Sequence, residues 1–296
     1  MQKVSVKGYA KINLTLDVLG KRDDGYHEVA MLMQGIDLYD VVTLEKRGAG
    51  ISLESNWQEL SSGSDNLAYQ AAALLQKDFP VIDGIHINLK KRIPLAAGLA
   101  GGSSNAAAVL LGLNYLYDLG LSLNKLRAYG ASLGSDVPFC LHPLTALATG
   151  RGEMISELPP CPPLWLVLVK PPFGVSTKEV YGHLEEVIIK KRPSLAGALK
   201  ALKTGDLALL YNSMANVLEY ATFDLYPELR QGLEKLIKAG AKKAMMSGSG
   251  PTLIAFVENK SRAEELASSW PKSDWRVEVT RSLGPGDLDR RVVVDE

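Results

Sequence analysis

An α+β fold in two domains is what this sequence predicts, and three observations carry the prediction. Strand-like alternation dominates the start of the chain, with Val4, Val6, Ile12, Leu14, Leu16 and Val18 at period two, the spacing of a strand buried on one face. Helical patterns then arrive in groups rather than one per strand, which argues against a regular doubly wound sheet. Between the two halves stands Pro159-Pro160-Cys161-Pro162-Pro163, a stiff, donor-poor crossing. The predicted division is 1–160 and 161–296.

Each element follows from a local pattern. The first strand is expected over 3–19 and ends in Gly20 to Gly25, a turn rich in Gly and Asp. Strands at 29–36 and 41–45 continue the alternation. Asp65-Asn66 precedes an apolar helix to about Gln76, with Leu67, Ala71, Leu74 and Leu75 on one face. A strand over 85–89 leads into a glycine-rich loop, with helices near 103–117 and 122–133 and a strand at 144–149 beyond it. After the prolines, Trp165 to Val169 is a continuous apolar strand. Helices are expected near 176–190, 195–202, 205–219, 227–239 and 260–269, and strands at 243–247, 252–257 and 275–281. There is no internal repeat.

Bulk properties narrow the function. Lys+Arg and Asp+Glu both number 33 in 296 residues, and a broad nucleic-acid surface ordinarily needs a basic excess to neutralise phosphates. Cys140 and Cys161 are the two cysteines, which make neither a disulfide framework nor a metal pair. No apolar run reaches the roughly 20 residues that span a bilayer, and the N-terminal stretch lacks a signal-peptide core. A soluble, cytoplasmic protein is expected, with no nucleic-acid or membrane partner.

The loop Ile93-Pro94-Leu95-Ala96-Ala97-Gly98-Leu99-Ala100-Gly101-Gly102-Ser103-Ser104-Asn105 is the most informative segment. Its glycines let successive N–H groups turn toward one point. The serines can cap the helix that follows, whose N-terminus is partly positive. Together these describe a phosphate cradle. It is not a G-x-x-x-x-G-K-[ST] loop, because no lysine follows the glycines.

Other residues are ambiguous one at a time. Lys11, between Ala10 and Ile12, is either a solvated lysine on an outer face or a cation aimed at a phosphate or reacting hydroxyl. Asp136, in Ser135-Asp136-Val137-Pro138, is either a turn former or a carboxylate that accepts a hydroxyl proton. Asp24-Gly25 suits a hairpin turn. Tyr26-His27 behind it could stack on a base and bond its edge, or be structural. Ser247-Gly248-Ser249-Gly250-Pro251 is a second tight glycine turn.

Their order removes the ambiguity. A lysine in the first strand, a glycine–serine loop opening a helix, an Asp-Val-Pro loop and a late Ser-Gly-x-Gly turn together resemble the GHMP kinases, from Ala10 to about Phe256. Within that superfamily Ala10-Lys11-Ile12-Asn13-Leu14, Asp24-Gly25-Tyr26-His27, the segment Gly98 to Ala107 and Gly134 to Pro138 resemble the branch whose acceptor is a cytidine-diphosphate-linked methylerythritol. The resemblance implies the two-domain GHMP fold, with ATP and substrate sites in the inter-domain cleft. It implies transfer of the γ-phosphate of ATP to the acceptor's 2-hydroxyl, on the non-mevalonate route to isoprenoid precursors, with Mg2+ as the metal. It makes Asp136 the base and Lys11 its electrostatic partner. Asn66 and Leu67 would border adenine; Pro94, Ala97, Gly98, Leu99, Ala100, Gly101, Gly102, Ser103 and Ser104 would hold the nucleotide, with Ser104 the candidate magnesium ligand. Asn13, Tyr26, His27, Thr177 and Tyr181 would hold the acceptor, the two tyrosines on either face of the cytosine and Thr177 near the diphosphate.

The sequence departs from the family's pattern at Lys178, where Pro is frequent, and at Ser249 and Pro251, where Thr and Ala are common. The alternatives are another small-molecule GHMP kinase and a non-catalytic nucleotide sensor on the same fold. A monomer or weak homodimer is expected.

Overall fold

The computed structural model describes residues 2–271 and 274–295. Strand β1 (Lys3–Lys21) and strand β2 (His27–Lys46) form one long antiparallel hairpin, from Lys3↔Glu45 to Lys21↔His27. Strand β3 (Gly50–Ser55), helix α1 (Leu67–Asp78), strand β4 (Gly84–Lys90), helix α2 (Gly101–Leu116), helix α3 (Leu123–Leu133) and the single turn α4 (Val137–Cys140) follow. Strands β5 (Thr145–Thr149) and β6 (Met154–Glu157) complete the first half. The second half runs β7 (Trp165–Lys170), α5 (Thr177–His183), α6 (Leu195–Thr204), α7 (Leu207–Ser213), α8 (Leu218–Leu225), α9 (Pro227–Lys238), β8 (Lys243–Met246), β9 (Leu253–Val257), α10 (Lys260–Ser269), β10 (Arg276–Arg281) and β11 (Val292–Asp295).

Two sheets result among the described residues. The larger has the order β11-β1-β2-β4-β3, with β5 on β2 and β6 on β5; the smaller has the order β10-β7-β9-β8. The α+β expectation holds. The last strand returns to the first sheet, where Val4 to Val6 of β1 pair with Val294 to Val292. No helix of the described residues is long and apolar enough to cross a membrane.

Two buried clusters cover successive stretches of one parity of β1. Val4, Val6, Leu44, Ile85 and Ile87 pack on the small residues of α1 and α2, among them Ala71, Ala106 and Ala107. Ala10, Ile12 and Leu14 pack instead with Leu166, Leu168, Ile254 and Phe256 of the second sheet and with Ala198 and Leu210 of α6 and α7. Lys11, Asn13 and Thr15, on the opposite parity, are buried as well. The reading of Lys11 as a solvated lysine therefore fails: it is 4% exposed.

Several boundaries move for identifiable reasons. The expected strands at 29–36 and 41–45 are one strand, because pairing with β1 continues through Asp40 and Tyr39 and resumes at Gly35 after a register shift. The helix expected over 205–219 breaks into α7 and α8. The break is at Asn216, where the backbone pairs with β1: Leu16 N–H donates to Ala215 O at 3.0 Å and Val217 N–H to Leu16 O at 3.0 Å. The helix expected to reach 190 ends in a short 3-10 turn, Leu184–Glu186, before the β-branched run Val187-Ile188-Ile189, which disfavours helix. Strands β3, β6 and β11 and the turn α4 are short additions that no periodicity announced.

Candidate active site

Two glycine turns, one from each half of the chain, meet beside Lys11. The first lies between β4 and α2. Ala96, Gly98 and Ala100 adopt left-handed φ values of 46°, 72° and 57°. Left-handed residues at alternate positions make a concavity of backbone amides suited to an anion. Ala100 is the N-cap of α2 and no side chain caps that helix, so the amides of its first turn remain for a ligand or water. The expectation that the serines cap α2 is corrected here. The helix starts at Gly101, which puts Ser103 and Ser104 inside its first turn. Ser104 is buried, and its Oγ donates to Gly101 O at 2.9 Å.

The second turn, residues 247–252, joins β8 to β9. Ser247 Oγ donates to Gly98 O at 3.0 Å. The contact is so close that a Cβ on Gly98 would stand 2.2 Å from Ser247 O, and φ there also favours glycine. Three residues at helical spacing hold this turn from behind. Asn216 Nδ2 donates to Met246 O at 2.9 Å and Gly248 O at 2.7 Å. Glu219 Oε1 accepts from Met246 N–H at 2.8 Å. Thr222 Oγ1 donates to Ser249 O at 3.2 Å. Burial pushes the Glu219 carboxyl up to about 7, opposed by the Met246 amide and the Lys243 charge.

Lys11 and Asp136 come together between these turns. Lys11 Nζ donates to Asn13 Oδ1 at 2.9 Å and lies 3.8 Å from Asp136 Oδ2. Its own N–H donates to Leu99 O at 3.1 Å, tying β1 to the first turn. A Cβ on Gly248 would lie 3.5 Å from Lys11 Nζ. Asp136 stands at the N-cap position of α4, yet its carboxylate caps nothing. The turn-former reading of this residue is not what its side chain does. A partly exposed carboxylate beside a buried ammonium is available to a ligand.

The aromatic residues assemble on the other side. The His27 and Tyr181 rings lie 4.9 Å apart. Burial, and then the Asp136 charge, push the Tyr181 phenol up. His27 Nε2 is buried with no hydrogen-bond partner among the described residues; the Glu185 carboxylate is 3.9 Å away. A buried unsatisfied nitrogen is a place a ligand group can complete. Tyr26 is 54% exposed, with the Arg151 guanidinium 4.8 Å from its ring centre. Thr177 Oγ1 is 2.9 Å from Ser249 Oγ on the second glycine turn. Asn13 Nδ2 donates to Met31 Sδ at 3.3 Å.

Asn66 and Leu67 stand apart from this group. Asn66 caps α1: its Oδ1 accepts from Ala68 N–H at 2.9 Å and its Nδ2 donates to Ser61 O at 2.7 Å. Leu67 Cδ1 is 3.5 Å from where a Cβ on Gly102 would stand. A cavity of about 680 Å³ opens beside Pro94, Leu95 and Ala96, walled by Trp57, Lys170 and Arg276; neither Asn66 nor Leu67 lines it.

Sequence reasoning missed the root of the first turn. Asp40 is wholly buried and accepts from Lys91 Nζ, from Asn105 Nδ2 at 2.9 Å, and from the N–H groups of Arg92 at 2.6 Å and Ile93 at 2.9 Å. Burial lowers the Lys91 pKa, against the pull of Asp40. Four donors on one carboxylate fix where the loop leaves β4 and where α2 enters. Its only sequence signal is an acidic residue between two strand patterns.

Comparison with known proteins agrees with the geometry. The family description "GHMP kinases N terminal domain" matches residues 66–143, and "GHMP kinases C terminal" matches 198–276. The 4-diphosphocytidyl-2-C-methyl-D-erythritol kinase of Brevibacillus brevis is 47% identical over 283 residues, 95% of this chain and 97% of that protein. The same-named kinase of Shouchella clausii is 49% identical over 265 residues, 89% of each. A crystal structure of 4-(cytidine 5'-diphospho)-2C-methyl-D-erythritol kinase superposes with a TM-score of 0.81 at 33% identity, covering 95% of this chain and 99% of the other. Homoserine kinase from Cytophaga hutchinsonii shares the fold, with a TM-score of 0.75 at 20% identity over 96% of this chain and 95% of that one. The chain belongs to the GHMP kinases and, within them, to the family of 4-diphosphocytidyl-2-C-methyl-D-erythritol kinases.

Proposed function

We propose that this protein is the ATP-dependent kinase that phosphorylates the 2-hydroxyl of 4-diphosphocytidyl-2-C-methyl-D-erythritol in the non-mevalonate pathway, with Asp136 as base and Lys11 as its partner. The observation that carries the chemistry is the 3.8 Å approach of Lys11 Nζ to Asp136 Oδ2 beside two glycine turns. Phosphoryl transfer asks the protein mainly for positioning and charge. Asp136 accepts the hydroxyl proton as the oxygen attacks the γ-phosphorus of ATP, and the bond from that phosphorus to the β–γ bridging oxygen breaks to release ADP. Lys11, itself oriented by Asn13, stabilises charge growing on that oxygen. The amides from Gly98 to Ser103 receive the phosphates, and Pro94 and Ala97 shape the loop.

His27 Nε2, buried and without a hydrogen-bond partner among the described residues, supports a nucleobase on this side. Tyr26 and Tyr181 supply the stacking faces, and Thr177 approaches the diphosphate. We place adenine near Asn66 and Leu67, across the first turn of α2.

Among the described residues no group of three or more His, Cys, Asp or Glu could hold a metal. The residue that fits a magnesium ion carried in on the phosphates is Ser104, whose hydroxyl lies in the first turn of α2, with water elsewhere. When bound, the ion neutralises charge on the transferring phosphates. On the same reading residues 1–160 and 161–296 are two domains, the sites occupy the cleft between them, and the protein works in the cytoplasm as a monomer or weak homodimer.

The test is ADP release with ATP and a panel of acceptors: the cytidine-diphosphate methylerythritol, methylerythritol phosphate, mevalonate, phosphomevalonate and homoserine. Turnover of the cytidine compound alone is expected. Turnover of another acceptor would move the chain to a sibling activity, and ATP binding with no turnover would make it a sensor.

A further inference from the structure

A deeply buried cation that the proposed chemistry leaves unused is Arg291, near the end of the chain. It is 4% exposed, and no carboxylate lies within ion-pair distance of it among the described residues. Its guanidinium is spent on backbone carbonyls instead. Nη1 donates to Leu141 O at 2.6 Å, Nη2 to Cys140 O at 2.6 Å, and Nε to Lys7 O at 3.0 Å. The backbone closes the same junction, since Lys7 N–H donates to Arg291 O at 2.9 Å.

The three accepting carbonyls belong to two elements. Cys140 and Leu141 end α4, whose opposite end is Asp136, and Cys140 N–H donates to Asp136 O at 3.1 Å. Lys7 is on β1, one short stretch before Lys11. A planar five-donor fork can span two such elements in a fixed geometry, which a lysine cannot. Burial, opposed by Cys140 and Tyr9, pulls the pKa of Arg291 down to about 10, which still leaves the fork charged and donating at neutral pH. A buried charge without a carboxylate partner is costly, so packing alone gives no reason for it.

We infer that Arg291 is a positioning residue for phosphoryl transfer: it clamps the carbonyl end of α4 to β1 and so sets the separation of Asp136 from Lys11. The inference rests on the roles proposed above for those two residues. It gives the returning C-terminal segment a part in the chemistry without contact with either substrate.

The experiment compares wild type, Arg291→Lys, Arg291→Ala and Asp136→Asn. ATP binding is titrated first, and kcat is expressed per nucleotide-competent site, so misfolded protein does not enter the rate. A displacement on the order of 1 Å at a reacting group can cost about 10²-fold in rate. Arg291→Ala is therefore expected to lose about tenfold or more in kcat with both KM values within about twofold of wild type, and Arg291→Lys to fall between. If Arg291→Ala yields no folded protein, Arg291→Lys decides alone, on the same split of kcat from KM. Wild-type kcat per competent site in the folded variants would overturn the inference, as would a change confined to KM. If Asp136→Asn keeps its rate, the catalytic reading itself has failed; if it is inactive while the Arg291 variants are normal, only the clamp has failed.

Discussion

Lys11 Nζ and Asp136 Oδ2 stand 3.8 Å apart although 124 residues separate them along the chain. Strand β1 supplies one and the turn before α4 the other. The lysine is buried and the aspartate partly open, which leaves the carboxylate facing outward with its counter-charge fixed behind it. Lys11→Ala is expected to lower kcat by about 10²-fold or more, the scale of removing a preorganised donor. Steady-state kinetics check it; a change in KM alone would make Lys11 a binding residue.

Tyr26 exposes a ring face, with Arg151 against its ring and His27 next in the chain. Tyr26→Ala is expected to weaken binding of the cytidine acceptor by about 1–3 kcal/mol, the range for loss of a base-stacking aromatic, and to leave ATP affinity unchanged. Calorimetric titration with each ligand separates the two; an unaltered acceptor affinity would exclude stacking as a main contribution.

Gly98 couples the two glycine turns. Gly98→Ala forces a methyl group to within 2.2 Å of Ser247 O on a left-handed backbone. Loss of ATP binding is expected, with destabilisation of about 1–3 kcal/mol from overpacking. Urea unfolding and nucleotide titration measure both, and a variant with wild-type affinity would show that the turns need not touch.

Glu219 gives a pH signature. Its folded carboxyl is raised by burial to about 7, so between the ordinary carboxylate range and about pH 7 the folded state holds a proton that the unfolded chain has released. The contribution to stability is full at acid pH and is lost as pH rises through that window. Glu219→Gln, which keeps an acceptor for Met246 N–H, is expected to flatten stability over about pH 5–8 by about 1–3 kcal/mol. Urea unfolding at several pH values tests it; an unchanged slope would place the titration elsewhere.

What the sequence made legible was what local pattern encodes. Alternation gave β1, and the glycine–serine loop followed by alanines gave α2. The order of Lys11, the loop, Asp136 and the late glycine turn identified the superfamily before any geometry. What stayed hidden depends on pairing between distant segments. Asn216 breaks a helix because Leu16 claims its neighbours' backbone groups. Asp40 reads as an irregularity in β2 until four donors converge on it. Arg291 looks like one of two surface arginines at the end of a polar stretch, and only tertiary packing turns it inward. Lys11 shows the same limit, because alternation assigns a face but cannot say that both faces are covered.

The proton that Asp136 takes from the acceptor during transfer is what most needs a direct test. The direct measurement is single-turnover transfer of radiolabelled γ-phosphate from ATP to the cytidine-diphosphate acceptor by wild type and Asp136→Asn, with nucleotide affinity measured on the same samples. A rate about 10²- to 10⁴-fold lower is expected in the variant, the range general-base catalysis supplies, with ATP bound as in wild type. Transfer by Asp136→Asn at close to the wild-type rate would contradict it.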